Sequence, residues 1–232
     1  MFQSELLDKQ RLTGSVLRLT FRKPERFSYM PGQFLSLELT DGKRKFYSLA
    51  SHPSDDTIVL LVKLAPNGIA SQLFVNAKSK DMFTFSGHFG CFTPQQTDVP
   101  ILMIATGVGI APLLAHLKEY ELQKHTQPIE LWWGVKNQQS LIMEKELRQF
   151  TKTLPNFSYS IHYSKEEAVN LSSPYFHGRV TYQLTATVEQ YQDYYFYLCG
   201  IPQMVIDCLT ILRQAGIPDS HIFQEHFNAT LR

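Results

Sequence analysis

Cysteine is scarce. The chain of 232 residues holds three, Cys91, Cys199 and Cys208. An odd number without the close spacing of metal-binding thiolates argues against a disulfide framework, a zinc site or an iron–sulfur cluster. A reducing compartment fits this usage. An excess of one charge is also lacking: 22 Lys/Arg against 21 Asp/Glu leave +1, so bulk electrostatics point to neither nucleic acid nor a membrane surface as partner. No run of about 20 apolar residues is present to span a bilayer. The opening MFQSELLDKQ lacks the basic-then-apolar order of a secretion signal. A cytoplasmic, soluble protein is therefore expected. The eight histidines show no ligand spacing, so no metal site is expected either. What the chain does have is 44% hydrophobic residues, enough for one large domain or two of roughly 100 to 130 residues.

The texture changes near residue 95, which divides the chain into expected domains 1–95 and 96–232. Before it, VLRLTF (16–21), QFLSLEL (33–39), IVLLVKL (58–64) and MFTFS (82–86) are candidate strands between turn signals such as Pro31-Gly32, Asp41-Gly42 and Pro66-Asn67-Gly68. Short strands at that spacing predict a small antiparallel barrel. Ala70, Leu73 and Phe74 have helical spacing and predict one short helix after Gly68. Beyond residue 95, the apolar runs 101–105, 129–135, 157–163 and 194–200 alternate with amphipathic stretches, the mark of a parallel sheet built from β-α-β units. The first part carries 12 Lys/Arg against 8 Asp/Glu and the second 10 against 13, so the first is mildly basic and the second mildly acidic.

Two segments point to anion binding. In ILMIATGVGIAP (101–112) a buried strand runs into Thr106-Gly107-Val108-Gly109 and then a helix. Glycines there let the backbone approach a ligand, and the helix start favours a pyrophosphate. A strand–helix turn can also need glycine for steric reasons alone. In Lys45-Phe46-Tyr47-Ser48, strand alternation sets Lys45 and Tyr47 on one side and Phe46 and Ser48 on the other. An edge strand with one polar face reads the same way.

Taken together these segments resemble the ferredoxin–NADP reductase superfamily, whose flavin motif is Arg-x-Tyr-Ser. Further matches run in the family's order: Pro31-Gly32-Gln33-Phe34, Gly68-Ile69-Ala70-Ser71, Gly87-His88-Phe89-Gly90-Cys91-Phe92, Cys199-Gly200-Ile201-Pro202-Gln203-Met204 and Glu225-His226-Phe227. The resemblance implies a six-stranded, Greek-key, FAD-binding barrel followed by an α/β domain for the nicotinamide nucleotide. FAD would meet Lys45, Phe46, Tyr47, Ser48, Leu61, Val62, Lys63, Gly68, Ala70, Ser71, Thr106 and Phe227. NAD(P)H would meet Thr106, Gly107, Val108, Gly109, Ser164, Lys165, Cys199, Gly200 and Met204. Ser48, Cys199 and Glu225 would be the catalytic group, with Ser48 near the reacting flavin nitrogen, Cys199 near the nicotinamide and Glu225 orienting Ser48 or relaying a proton. Ser164-Lys165 resembles a pair that binds the 2′-phosphate, a tilt toward NADPH over NADH.

One departure concerns the motif arginine, which is Lys45 here. Lysine keeps the charge and loses the planar fork, which leaves open whether FAD is resident or exchangeable and whether Arg44 substitutes. The implied activity is an FAD-dependent NAD(P)H oxidoreductase passing electrons to a small carrier such as ferredoxin or flavodoxin, or to a partner oxygenase. The alternatives are an NAD(P)H:flavin oxidoreductase that releases reduced flavin and a nucleotide-binding electron-transfer subunit of a larger enzyme.

Overall fold

The computed structural model describes residues 1–39, 42–165 and 171–226. They form two compact units, the first made of Met1–Pro94 with Ala111–Glu119 and the second of Gln95–Ile110 with residues 120–226. The expected classes are both found, antiparallel first and parallel second.

The first unit contains β1 (Phe2–Thr13), β2 (Val16–Arg22), β3 (Phe34–Glu38), β4 (Arg44–Ser48), β5 (Thr57–Lys63), helix α1 (Ile69–Asn76) and β6 (Met82–Phe89). The strand order is β4-β3-β6-β1-β2-β5, with every pairing antiparallel. The two outer strands are joined by a bridge between Leu49 and Leu60, and the Ala50 N–H donates to the Val59 carbonyl at 2.9 Å. Closing the sheet this way removes the edges on which another chain could pair.

Alternation explains the closure. Leu17, Leu19 and Phe21 of β2, Leu35 and Leu37 of β3, and Ile58, Leu60 and Val62 of β5 all turn into one core. Phenylalanine fills much of the rest: Phe27 meets Phe2 and Phe85 edge-on, each at 5.1 Å. Phe74 of α1 is fully buried and sits 6.0 Å from Phe83 and 5.5 Å from Tyr47, ring to ring. Removing such a ring typically costs about 3–5 kcal/mol, so α1 is held to the barrel chiefly by this side chain. At Gly32, φ is +87°, and a Cβ would lie 1.8 Å from the Phe92 carbonyl oxygen and 2.2 Å from His116 Nε2. The glycine makes room for the His116–Phe92 hydrogen bond of 2.9 Å.

The second unit is built on β7 (Ile101–Thr106), β8 (Ile129–Val135), β9 (Phe157–Tyr163), β10 (Tyr175–His177), β11 (Tyr195–Gly200) and β12 (Ile222–His226). The helices of this half of the chain are α2 (Ile110–Leu122), α3 (Glu144–Thr153), α4 (Val180–Thr187) and α5 (Pro202–Gln214). The sheet order is β10-β9-β8-β7-β11-β12, all parallel. Residues 101–105 of β7 are wholly buried, as expected for a central parallel strand covered on both faces. Strand order reverses between β7 and β11, and ligands bind at such a switch point beyond the carboxyl ends of the strands. Among the described residues no helix is long and apolar enough to cross a membrane.

Candidate functional site

In the first unit a cleft of about 430 Å³ is lined by Leu39, Lys43, Lys45, Tyr47, Val62, Lys63, Ala65 and Gly68–Ser71. Seven residues expected at the flavin, Lys45, Tyr47, Val62, Lys63, Gly68, Ala70 and Ser71, are thereby brought together. Strand register explains the pairing on β4. Lys45 lies opposite Leu37 and Tyr47 opposite Leu35, so both share the side of two core leucines. Phe46 and Ser48 turn the other way. Phe46 packs on Phe34 with ring centroids 5.7 Å apart, and Ser48 is buried opposite Phe34. Leu61 is likewise buried and alternates away from Val62.

Helix α1 begins at Gly68 in extended conformation, with no side-chain cap and no acidic residue in its first turn. Its first helical bond runs from the Gln72 N–H to the Gly68 carbonyl at 2.9 Å, so the N–H groups of residues 69–71 have no carbonyl within the helix to meet. The Ser71 hydroxyl accepts the Ala65 N–H at 2.8 Å. That bond pins the turn and leaves the hydroxyl hydrogen to donate. Burial pushes the Tyr47 phenol well above its ordinary range, so the ring is neutral and offers a face and a donor. Among the described residues lining the cleft there are three ammonium groups and no carboxylate. Cations, an open helix start and a neutral aromatic ring fit the pyrophosphate and adjoining ring system of FAD.

In the second unit the glycine turn meets the end of β11. A Cβ on Gly109 would lie 2.4 Å from the Cys199 carbonyl oxygen and 2.6 Å from Gly200 Cα. Gly200 has φ +155°, and a Cβ there would come within 2.1 Å of Thr106 Oγ1. Thr106 Oγ1 accepts the Ile201 N–H at 3.0 Å, while the indole N–H of Trp133 donates to the Gly107 carbonyl at 3.0 Å. Gly107 itself has φ +54° with open space around its Cα, and Val108 beside it is half-buried. The sterically required glycines are thus Gly109 and Gly200, and the segment facing open space is Gly107. Gly109 and Gly200 let β11 and the turn pack together, and Gly107 is where bare backbone is open to a nucleotide phosphate near the helix start.

Cys199 is fully buried. Burial, and then the nearby Glu225 carboxylate, push its thiol well above the ordinary range, so it remains protonated and is no nucleophile. Glu225 is its direct neighbour in register across β11 and β12. Met204 is buried and accepts from the Cys208 thiol at 3.6 Å, packing beneath the Gly200 turn. Ser164 and Lys165 are exposed just beyond β9. The Ser164 N–H donates to the Val135 carbonyl and the Lys165 N–H to the Lys136 carbonyl, each at 2.9 Å. On the other side the Gly178 N–H donates to the Tyr163 carbonyl at 2.9 Å, which brings Arg179 to the same edge of the sheet. Lys136, Lys165 and Arg179 therefore follow three neighbouring strand ends, spaced at about 4.8 Å per strand. Phe227, expected at the flavin, lies outside the described residues.

Sequence reasoning did not single out Lys43, Lys136, Arg179 or the hydrogen bond of Trp133. For Lys136 and Arg179 the available signal is a basic residue just beyond consecutive strands.

Comparison with known proteins finds two families along the chain. An oxidoreductase FAD-binding domain matches residues 3–93 and an oxidoreductase NAD-binding domain matches residues 103–209. The electron transfer component of 2-halobenzoate 1,2-dioxygenase from Burkholderia cepacia is 30% identical over 98% of this chain and 68% of that protein. The toluate 1,2-dioxygenase electron transfer component of Pseudomonas putida is 26% identical over 99% and 68%. Reductase component 1 of the terephthalate 1,2-dioxygenase of a Comamonas species is 29% identical over 88% and 60%. The chain thus spans between 60% and 68% of these relatives' length. Among solved structures, a ferredoxin NADP+ reductase from Neisseria gonorrhoeae with bound FAD and NADP superposes with a TM-score of 0.86 at 22% identity, covering 98% of both chains. An Amycolatopsis cytochrome P450 reductase gives 0.89 at 23%, covering 98% of this chain and 70% of that one.

Fold and sites define a flavin- and nicotinamide-nucleotide-binding oxidoreductase module. The chain belongs to the ferredoxin–NADP reductase superfamily of FAD-dependent NAD(P)H oxidoreductases.

Proposed function

We propose that this chain, in the cytoplasm, draws reducing equivalents from NADPH, and less well from NADH, and passes them to a separate protein such as a ferredoxin, a flavodoxin or an oxygenase component. The observation that carries the proposal is the coexistence of a lysine-lined cleft at an open helix start and a glycine turn at a parallel-sheet switch point. Residues 1–95 hold FAD and residues 96–232 the nicotinamide nucleotide. FAD, when bound, supplies the ability to accept a hydride and release electrons singly or in pairs.

The protein's residues bind and orient. Lys45, Lys63 and the first turn of α1 hold the pyrophosphate, with the Ser71 hydroxyl donating to it. Tyr47 offers its ring face, while Ser48, buried on the opposite side of β4, does not line this cleft. Thr106 to Gly109 receive the nucleotide phosphate, and Ser164 and Lys165 receive the 2′-phosphate. Cys199 stays neutral and shapes the floor beneath the nicotinamide, and Glu225 beside it is the candidate proton relay. The electron transfer components among the relatives favour a protein acceptor.

A second reading, an NAD(P)H:flavin oxidoreductase with exchangeable flavin, is favoured by Lys45 in place of the motif arginine, since an ammonium grips a phosphate without the bidentate fork. Purification distinguishes the two. Yellow protein with about one FAD per chain, oxidising NADPH with an artificial acceptor, supports the first. Colourless protein active only with added flavin supports the second, and no NAD(P)H oxidation under either condition rejects both.

A further inference from the structure

The motif arginine is absent from β4, yet the cleft is not short of charge. Lys43 precedes Lys45 by two residues in the chain, and both line the cleft with Lys63. The backbone of Lys43 is held by described bonds: the Leu39 N–H donates to the Lys43 carbonyl at 2.8 Å and the Gly42 N–H to the Leu39 carbonyl at 3.0 Å. Gly42 adopts φ +75°, a left-handed turn that glycine enters without strain. From that turn, residues 43 and 45 fall on one side of the strand. Arg44 falls on the other, opposite Glu38 in register, and is exposed. The residue chemically closest to the missing arginine is therefore on the wrong face of β4.

We propose that Lys43, and not Arg44, makes up for the missing guanidinium: Lys43 and Lys45 share the flavin's pyrophosphate as two point charges. The proposal rests on the FAD reading above. A guanidinium forms two parallel bonds of fixed geometry, whereas two ammonium groups act through charge and are screened by salt where they reach solvent. It follows that FAD affinity depends on ionic strength, and that Lys43 discriminates flavins carrying phosphate from those without.

The test is equilibrium binding of FAD and of riboflavin, which has no phosphate, to flavin-free protein, followed by quenching of flavin fluorescence. Lys43→Gln is expected to raise the FAD Kd about five- to tenfold at low salt, between the weight of an exposed ion pair and that of a hydrogen bond to a charged group. The difference should shrink as salt is added. Its riboflavin Kd should move less than twofold, Lys43→Arg should keep FAD affinity, and Arg44→Gln should leave the FAD Kd within twofold. Wild-type binding of FAD with no change in Lys43→Gln overturns the proposal and leaves the FAD reading standing. So does an equal loss for riboflavin, or an Arg44→Gln effect as large as that of Lys43→Gln. Wild-type protein that fails to bind FAD overturns the FAD reading, and this proposal with it.

Discussion

In the first unit the charge facing the cleft is carried by side chains, Lys43, Lys45 and Lys63, from three positions along the barrel. In the second unit the corresponding turn is made by backbone, with Gly109 against Cys199 and Gly200 against Thr106, leaving no room for even a methyl group. Ammonium groups on flexible stems can be exchanged one at a time, with graded losses. Two backbones in contact cannot give way, so the second site should fail as a unit where the first should fade. The motif position in the barrel carries lysine where the family motif has arginine, while the glycines of the second turn stand where the motif expects them.

The strongest way to break this contrast is Gly109→Ala. The added carbon would meet backbone atoms of residues 199 and 200 at 2.4–2.6 Å, and overpacking of this kind costs roughly 3 kcal/mol. Urea denaturation should show that loss together with loss of NADPH binding. A stable variant that still binds NADPH would remove the distinction.

Acid should reach both units. Burial pulls His116 of the first and His162 of the second down to about 4, against about 6.5 when unfolded. Both are neutral when folded, so their contribution is complete above pH 6.5 and is lost as pH falls from there toward 4. At pH 5 the loss is roughly 2 kcal/mol for each. Urea midpoints measured between pH 7 and pH 5 check this, and His116→Gln should flatten the dependence.

Trp133→Phe sharpens the comparison, because it removes the indole donor to Gly107, although shrinking a fully buried indole also leaves a cavity whose stability cost urea denaturation measures separately. A loss of about 1 kcal/mol in NADPH binding is expected, with FAD affinity unchanged. Smallest is Lys165→Ala, expected to weaken NADPH about three- to fivefold and NADH less than twofold, as suits an exposed charge. Isothermal titration with both nucleotides decides it, and equal effects on the two would remove Lys165 from the 2′-phosphate site.

Much of the fold could be read from pattern because its strongest elements are also its most apolar. Residues 101–105 and 129–135 form unbroken runs since both faces of the parallel sheet are covered. The elements that the pattern does not announce lack that signal. In β1 only Ser4 and Leu6 are fully enclosed over twelve residues. β10 has three residues, and α4, VTYQLTAT, is rich in β-branched side chains that favour strand. At the candidate sites, motif residues were legible because they are consecutive. Lys43 was passed over because it precedes the consecutive motif by two positions, although strand alternation sets it on the side of Lys45. The enclosure of the Cys199 thiol was equally hidden, because a cysteine at a strand end reads the same whether it faces ligand or core.

The most direct test is an anaerobic titration of FAD-loaded protein with NADPH, followed by the visible absorbance of the flavin. The account predicts that about one equivalent bleaches the flavin band, that NADH does so less efficiently, and that adding an electron acceptor restores it. A band that persists while both FAD and NADPH are bound would contradict the account at its centre.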